Sequence, residues 1–536
     1  MYKYKITNAD FENGPFFISK SGYYYLCEDI TINFLKNKND IWKHNKDNNF
    51  GFTAGIIIDT CDVVLDLNGF TIQQSIQDYC LQRFFALIQL NNMPFIIGAG
   101  PILEKRTQLE TGKNITIKNG TLGLSSHQAI LGNNNINVKL QNLKINNFEV
   151  SGITLNAVHK LQIERTNIGP SNNDVPVTPF FAGYIFIHKL LQTIQVMDNR
   201  EDVKNQIQLI LNKIQTFYEP YINAIYSITY LNELKNMFVD DLFINYNGLT
   251  PCNMHGIKIT GQGPSVNEFH ESISDINSVN SKNTQILSTT IKNLKASVDE
   301  ELLLSYKEKT LMIGAGVKVS FNLLLKSTFT MSIILDINSL INDYPDLNSL
   351  IKTNIDDYVI TILNKILNNE PLTDEESKNF EIVRNKDPMG HINKGIIGIR
   401  LGSTVNCYCN DIEINSIDNY GKLSDDYEYY GDKYNINKVI IPDSGTDGKK
   451  NLTGSYSMGF ISSAVVKSVF NDMTISNIFS KYNSSIGLFV NNKSCNINVK
   501  NVRICNIKSD ENKNDDSTIL VDEKSKKICL NNIKIE

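Results

Sequence analysis

Short apolar strands punctuated by asparagine recur along this chain. Residues 410–417 read NDIEINSI, 471–478 NDMTISNI, 501–507 NVRICNI, 531–536 NNIKIE and, much earlier, 142–148 NLKINNF. In each, two apolar residues flank one polar residue and an Asn stands close by. Alternation with a period of two puts the apolar side chains on one face of a strand. Asn suits the turn, because it tolerates left-handed backbone and hydrogen-bonds its own neighbours.

A second phrase precedes several of these: Gly152-Ile-Thr-Leu, Gly256-Ile-Lys-Ile, Gly398-Ile-Arg-Leu, Gly459-Phe-Ile-Ser and Gly487-Leu-Phe-Val. Gly398 precedes Ile412 by 14 residues, Gly459 precedes Met473 by 14 and Gly487 precedes Val502 by 15. One coil therefore carries two or three short strands. The basic period is about 22 residues, as between Ile117 and Leu140, and lengthens to about 30 where loops grow. This spacing predicts a parallel β-helix. A single rung cannot bury its apolar face, but stacked rungs share one interior and pair their backbones at about 4.8 Å per step. About ten rungs would make a rod of roughly 50 Å. Asn residues repeated at one turn are expected to form hydrogen-bonded amide ladders. An antiparallel sandwich also alternates, but it calls for hairpin loops rather than a fixed long period.

Residues 18–26 (ISKSGYYYL), 55–58 (GIII), 62–72 (DVVLDLNGFTI) and 114–122 (NITIKNGTL) resemble the opening coils of the pectate-lyase-like superfamily. The phrases LDLNG and IKNGT are the most specific. The resemblance covers roughly 15–170, 240–296 and 394–536, and implies a mainly β fold, a right-handed parallel β-helix. The Asn, Ile and Lys bias also resembles uncharacterised β-helix proteins of giant DNA viruses of amoebae.

Two stretches break the pattern. Val203, Ile207, Ile210, Ile214 and Phe217 fall at helical spacing, with Asp198 or Asn199 as cap, Glu201 and Asp202 in the first turn, and Pro220 as the expected break. Leu347, Ile351, Ile355, Tyr358, Ile362 and Ile366 form a second stripe, ending before Pro371, with a capping box at 373–376. The chain thus divides into β-helix over 1–170, 239–296 and 393–536, interrupted by helix-rich insertions at 171–238 and 297–392. The insertions are expected to pack together or on the rod's flank.

The 536 residues are about 13% Asn, and the net charge of −5 gives no electrostatic footprint for nucleic acid. The N-terminal residues lack the pattern of a secretory signal, so synthesis in the cytosol is the expectation. The most apolar stretch, 321–340, is interrupted by Lys326 and Asp336, so no membrane span is expected. Nine cysteines, scattered and without a CxxC pair, are expected to be buried free thiols.

The resemblance implies a definite chemistry for the superfamily's enzymes. Lyases hold Ca²⁺ with acidic side chains and use an Arg base; hydrolases use two or three Asp from neighbouring rungs. Asp240 and Asp241, followed by His255 and Lys258, echo the order of the hydrolase elements. There is no Asn-Thr-Asp phrase, no Gly before His255 and no Arg-x-Lys strand after it. Adjacent Asp side chains on a strand also face opposite ways. The expected reading is a solvated turn, with no metal or other cofactor; Ca²⁺ enters only if the chain is a lyase.

The loop 418–434 (DNYGKLSDDYEYYGDKY) interleaves Tyr420, Tyr427, Tyr429, Tyr430 and Tyr434 with Asp425, Asp426 and Glu428. Aromatic faces stack on sugar C–H surfaces while carboxylates accept hydroxyl protons, and tyrosine is common at protein interfaces. The expected function is a non-catalytic structural or binding β-solenoid, a virion or assembly component contacting glycan or protein. The alternative is a lyase or hydrolase of an acidic polysaccharide. By analogy with viral β-helix rods, a homo-oligomer fits this reading. The last rung, ending in IKIE, is expected to be covered by end-on contact or by another part of the chain.

Overall fold

The computed structural model describes residues 2–42, 53–82, 85–91, 112–173, 201–230, 254–261, 280–296, 395–420, 456–481, 484–491, 493–510 and 517–536, with His188, Gln192, Glu233 and Thr373 besides. The protein is mainly β, and its described strands form two sheets, one of fifteen strands and one of ten. The larger sheet runs in chain order from Tyr2–Ile6 through Lys113–Leu122, Ile136–Ile145, Ser281–Ala296, Thr404–Asn419, Val466–Ser480 and Cys495–Ser509 to Lys526–Ile535. The smaller runs from Phe16–Ile18 through Gln128–Asn133, Ser151–Asn156, Met254–Thr260, Ile396–Gly402, Ser457–Ser463 and Ser485–Asn491 to Ser517–Val521.

The chain visits the two sheets alternately: Ile396–Gly402 leads into Thr404–Asn419, and Ser457–Ser463 into Val466–Ser480. Every pairing among these strands is parallel, for example Ser281↔Thr404 and Ser457↔Ser485. Parallel neighbours need a crossover, here supplied by a strand of the other sheet. The antiparallel sandwich is thereby removed.

The recurring phrases are in register. Ile30, Ile72, Leu122, Ile145, Ile168, Ile291, Ile414, Ile475, Ile504 and Ile535 are successive partners in the larger sheet. All but Ile535 belong to one buried core. Ile117 and Leu140, which suggested the period, are direct partners, a step of 23 residues. Insertion of a whole segment leaves the register intact: Ile168 pairs with Ile291.

The glycine phrases have a packing cause. A Cβ on Gly398 would lie 2.6 Å from the Gly459 carbonyl oxygen and 2.7 Å from Ile414 Cγ2. Gly256 stands in the same relation to Gly398 and Ile291, and Gly487 to Thr518 and Ile504. A column of bare backbone in the smaller sheet thus receives the isoleucine column of the larger one. This close approach fixes the spacing between the two phrases.

Left-handed residues recur every five positions along the long strands: Asn283, Ser288, Asn293; Asn406, Asp411, Ser416; Lys467, Asp472, Asn477; Asn496, Asn501, Asn506. Each resets the in–out alternation, so Cys407, Cys409, Ile412, Ile414 and Ile417 all reach the core. Among the described residues, more than half of the non-glycine positions with positive φ are Asn. Their amides form the expected ladders. Asn137 Nδ2 donates to Asn114 Oδ1 at 2.9 Å, Asn142 to Asn119 at 3.0 Å, Asn406 to Asn283 at 3.1 Å and Asn532 to Asn501 at 2.7 Å.

Lys467 interrupts one such column, standing left-handed between Asn406 and Asn496 in neighbouring strands. Lysine pays for that conformation without joining a ladder. Lys467→Asn is expected to raise the melting temperature by about 2 °C, read by scanning calorimetry; no rise would mean that the ladder contributes nothing at this corner.

Several expectations are corrected. The helix Glu201–Ser227, here α1, runs through Pro220 rather than ending there. Pro220 has no N–H for the Thr216 carbonyl, but both residues lie on the exposed side, where water can meet that oxygen. The helix docks on the N-terminal segment: Lys38 Nζ donates to Asn223 Oδ1 at 2.9 Å, and the Tyr226 hydroxyl donates to the Leu35 carbonyl. The side chains of its predicted stripe (Val203, Ile207, Ile210, Ile214, Phe217) and the second stripe at 347–366 lie outside the described residues. Of the described cysteines, Cys80, Cys407 and Cys409 are buried, Cys27, Cys61, Cys495 and Cys505 are half-buried and Cys529 is exposed; Cys252 lies outside the described residues. Cys505 fails because it precedes the left-handed Asn506, as Ser476 precedes Asn477 and Asn415 precedes Ser416, which leaves its side chain on the outer row with Ser476 and Asn415. The final strand Lys526–Ile535 is exposed, with Ile535 at 58%, so the described residues do not provide its expected internal cover.

Asp78 anchors the segment that meets α1. It is 1% exposed and accepts hydrogen bonds from the backbone N–H groups of Phe34 (2.8 Å) and Leu35 (3.0 Å). Burial pushes its carboxyl from the ordinary 3.8 up to about 6. The folded state therefore holds this proton more tightly than the unfolded chain. Its contribution is complete below about pH 4 and is lost as pH rises through about 6, a change of about 3 kcal/mol. Urea unfolding at pH 4 and pH 7 should show this loss in wild type and a flatter profile in Asp78→Asn; an unchanged profile would remove Asp78 as its source.

Candidate functional site

The larger sheet's outer surface is set by its register. Asn172, Lys295, Asp418, Phe479 and Lys508 are successive partners in one outward row near the strand ends. Tyr420 stands beside this row, its N–H held by the Ala296 carbonyl at 2.7 Å. The residue is 36% exposed, and its ring centroid lies 5.1 Å from that of Phe479 and 5.2 Å from Lys295 Nζ. Such a cation–π contact holds both groups without hiding the ring's free face.

The charges around the ring are graded by burial. Asp418 is half-buried, and desolvation raises its carboxyl pKa while nearby Lys295 opposes the rise. Burial, with the Asp418 and Asp510 charges, raises the Tyr420 phenol. The phenol therefore stays a neutral donor throughout the physiological range. The patch offers the Tyr420 and Phe479 rings with the Asp418 carboxylate and the Lys295 ammonium, and the charges of Asp510 and Lys508 stand close by.

Of the tyrosine-rich loop, Asp418 and Tyr420 are described. Asp425, Asp426, Tyr427, Glu428, Tyr429, Tyr430 and Tyr434 lie outside the described residues. Lys295 and Phe479 were not singled out by sequence reasoning. Their signal was available in register: Leu294-Lys-Ala, Ile417-Asp-Asn, Ile478-Phe-Ser and Ile507-Lys-Ser occupy equivalent positions.

Asp240 and Asp241 also lie outside the described residues. His255 and Lys258 do not occupy a solvated turn, which corrects that expectation. They stand on the strand Met254–Thr260, with His255 3% exposed and Lys258 half-buried. Gly256 meets Ile291 and Ile257 lies in the main core, so this pair faces inward and His255 and Lys258 on either side of it share the outer face. Among the described residues, no group of three or more His, Cys, Asp or Glu is arranged to hold a metal ion. No described helix is long and apolar enough to cross a membrane.

No family model and no curated protein sequence matches this chain. Among solved structures, a polygalacturonase from Erwinia carotovora ssp. carotovora superposes with a TM-score of 0.31 at 8% identity, over 98% of this chain and 85% of that one. The catalytic domain of a GH87 α-1,3-glucanase in complex with nigerose superposes with a TM-score of 0.19 at 8% identity, over 96% of this chain and 60% of that one. The architecture here rests on strand register rather than on these superpositions.

Proposed function

We propose that this chain is a right-handed parallel β-helix that serves as a binding scaffold, and that it engages glycan through the lateral patch at Tyr420. The two parallel sheets, visited alternately and in register, support the architecture. The observation that carries the binding role is the half-exposed Tyr420 ring flanked by Lys295, Asp418 and Phe479. A sugar ring presents apolar C–H faces to an aromatic and hydroxyls to charged groups, so this combination suits it. The Lys295 ammonium and the Lys508 side chain in the same row favour an acidic glycan over a neutral one.

A panel of immobilised neutral and uronic-acid polysaccharides tests this reading. Wild type is expected to bind, with acidic polymers preferred, and Tyr420→Ala to weaken binding about tenfold. Equal binding by both would remove the patch from the account. Release of unsaturated or reducing ends from any polymer would replace the scaffold with a lyase or hydrolase. Retention of a protein but no polysaccharide would make the patch a protein interface.

A further inference from the structure

The first and last described rungs are finished differently. In the first, Ile6 of Tyr2–Ile6 and Ile18 of Phe16–Ile18 are 0% exposed, although each strand lies at the edge of its sheet. The 3₁₀ turn Asn8–Phe11 contributes the cover: Phe11 belongs to the shared core, its ring centroid 6.1 Å from that of Phe16. Asp10 fixes the turn by accepting from the Thr7 N–H at 2.8 Å.

Among the described residues the last rung has no such cover. Ile528, Leu530, Ile533 and Ile535 continue the inward columns of Ile497, Val499, Val502 and Ile504, and Ile519 and Val521 those of Leu488 and Val490. The earlier member of each pair is at most 1% exposed, whereas Leu530 is 42%, Ile535 58% and Val521 38% exposed. The strand Lys526–Ile535 is also the edge of the larger sheet. An apolar edge of this kind is a template for another strand.

The sequence of that strand is complementary to itself. Laid antiparallel on a copy with Asn531 opposite Asn532, it pairs Ile528 with Ile535 and Leu530 with Ile533, so inward residues meet inward residues. The same register sets Lys527 opposite Glu536 and Cys529 opposite Lys534. A shift of two residues one way would set Lys527 against Lys534, and like charges directly opposite are destabilising. A shift the other way leaves Leu530 with Ile535 as its one kind of apolar pair. Asn532 is a left-handed corner, so the strand bends between the two halves that exchange places. A two-fold axis through this corner lays one bend on the other and brings the two interiors together.

We propose that the last rung is covered by the last rung of a second copy, two chains meeting end to end about a two-fold axis at Asn531 and Asn532. The contact pairs both strand edges, buries Leu530, Ile535 and Val521, and forms two Lys527–Glu536 pairs. Arg503 Nη2 donates to Glu536 Oε2 at 2.6 Å, which holds that carboxylate at the edge. Each copy uses the same face, so assembly closes at two chains. A head-to-tail contact would need the first rung, where Ile6 and Ile18 are already covered. Assembly of this kind is independent of what the Tyr420 patch binds.

Sedimentation velocity of the full chain at micromolar concentration is expected to show particles of two chains. Ile535→Lys and Lys527→Glu change exposed positions, so each should keep the circular dichroism of wild type while weakening association about tenfold or more. Mild oxidation of Lys534→Cys is expected to join the new thiol to Cys529 of the second copy, located by peptide mass spectrometry. Within one chain these positions are five residues apart along a strand, beyond disulfide reach. Monomers alone, open chains of many copies, association unchanged in both charge variants, or a Cys529-to-Cys529 link in place of the expected one would each overturn the proposal.

Discussion

Gly459→Val is expected to be a severely damaging substitution, lowering stability by about 3 kcal/mol or more. A Cβ at this position would lie 2.4 Å from Ile475 Cγ2 and 2.7 Å from the Gly487 carbonyl oxygen. The carbonyl belongs to the next strand and cannot withdraw without opening the ladder. Ile475 cannot withdraw either, because Ile414 and Ile504 stack against it from the neighbouring strands. Gly402→Ala supplies the control. The nearest atom to a Cβ there would be a side-chain carbon, Thr260 Cγ2 at 3.2 Å, and the substitution should change stability by less than about 1 kcal/mol. Equal denaturant midpoints for the two variants would mean that the bare-backbone column does not set the sheet spacing.

Ile475→Ala approaches the same contact from the other side. Ile475 is fully buried in the shared core, and the Gly459 position facing it has no side chain with which to fill a cavity. The expected loss is about 2–5 kcal/mol, read from urea unfolding. Thr474→Ala, one residue away on the outer row, should cost less than about 0.5 kcal/mol. If the two losses were equal, the in–out alternation assigned to this strand would be wrong.

Much of this arrangement was legible in the sequence, for a physical reason. Stacked strands must present compatible side chains at equivalent positions, so Ile414, Ile475 and Ile504 appear in recognisable phrases. The glycine phrases were equally visible, but their cause was not, because it depends on which isoleucine enters from the facing sheet. The five-residue spacing of left-handed corners was partly hidden. Asn137, Asn142 and Asn147 display it, whereas Lys160, Arg165, Ser288 and Asp411 occupy the same corners without the same residue type. The Pro220 break failed because an exposed carbonyl can be satisfied by water, leaving the helix intact.

The sites were less legible than the fold. Tyr420 stood out because it opens a loop dense in tyrosine and acid. Lys295 and Phe479, which hold its ring, are distant in sequence and become neighbours only through register. His255 and Lys258 were noticed for a motif resemblance. Their setting comes instead from Ser151, Thr154 and Arg400, residues with no motif of their own.

Direct stacking across the long insertion is tested by paired cysteines at Thr290 and Glu413. These residues are partners in adjacent strands although 123 positions apart in the chain. Neighbouring positions at this spacing fall within disulfide reach. The Thr290→Cys/Glu413→Cys chain should therefore form an intramolecular disulfide on mild oxidation, identified by peptide mass spectrometry. Thr290→Cys/Tyr408→Cys, offset by five residues or about 16 Å along the strand, should not. A bond in the first and none in the second is the predicted result; equal cross-linking of both, or none in the first, would contradict the register on which the whole architecture stands.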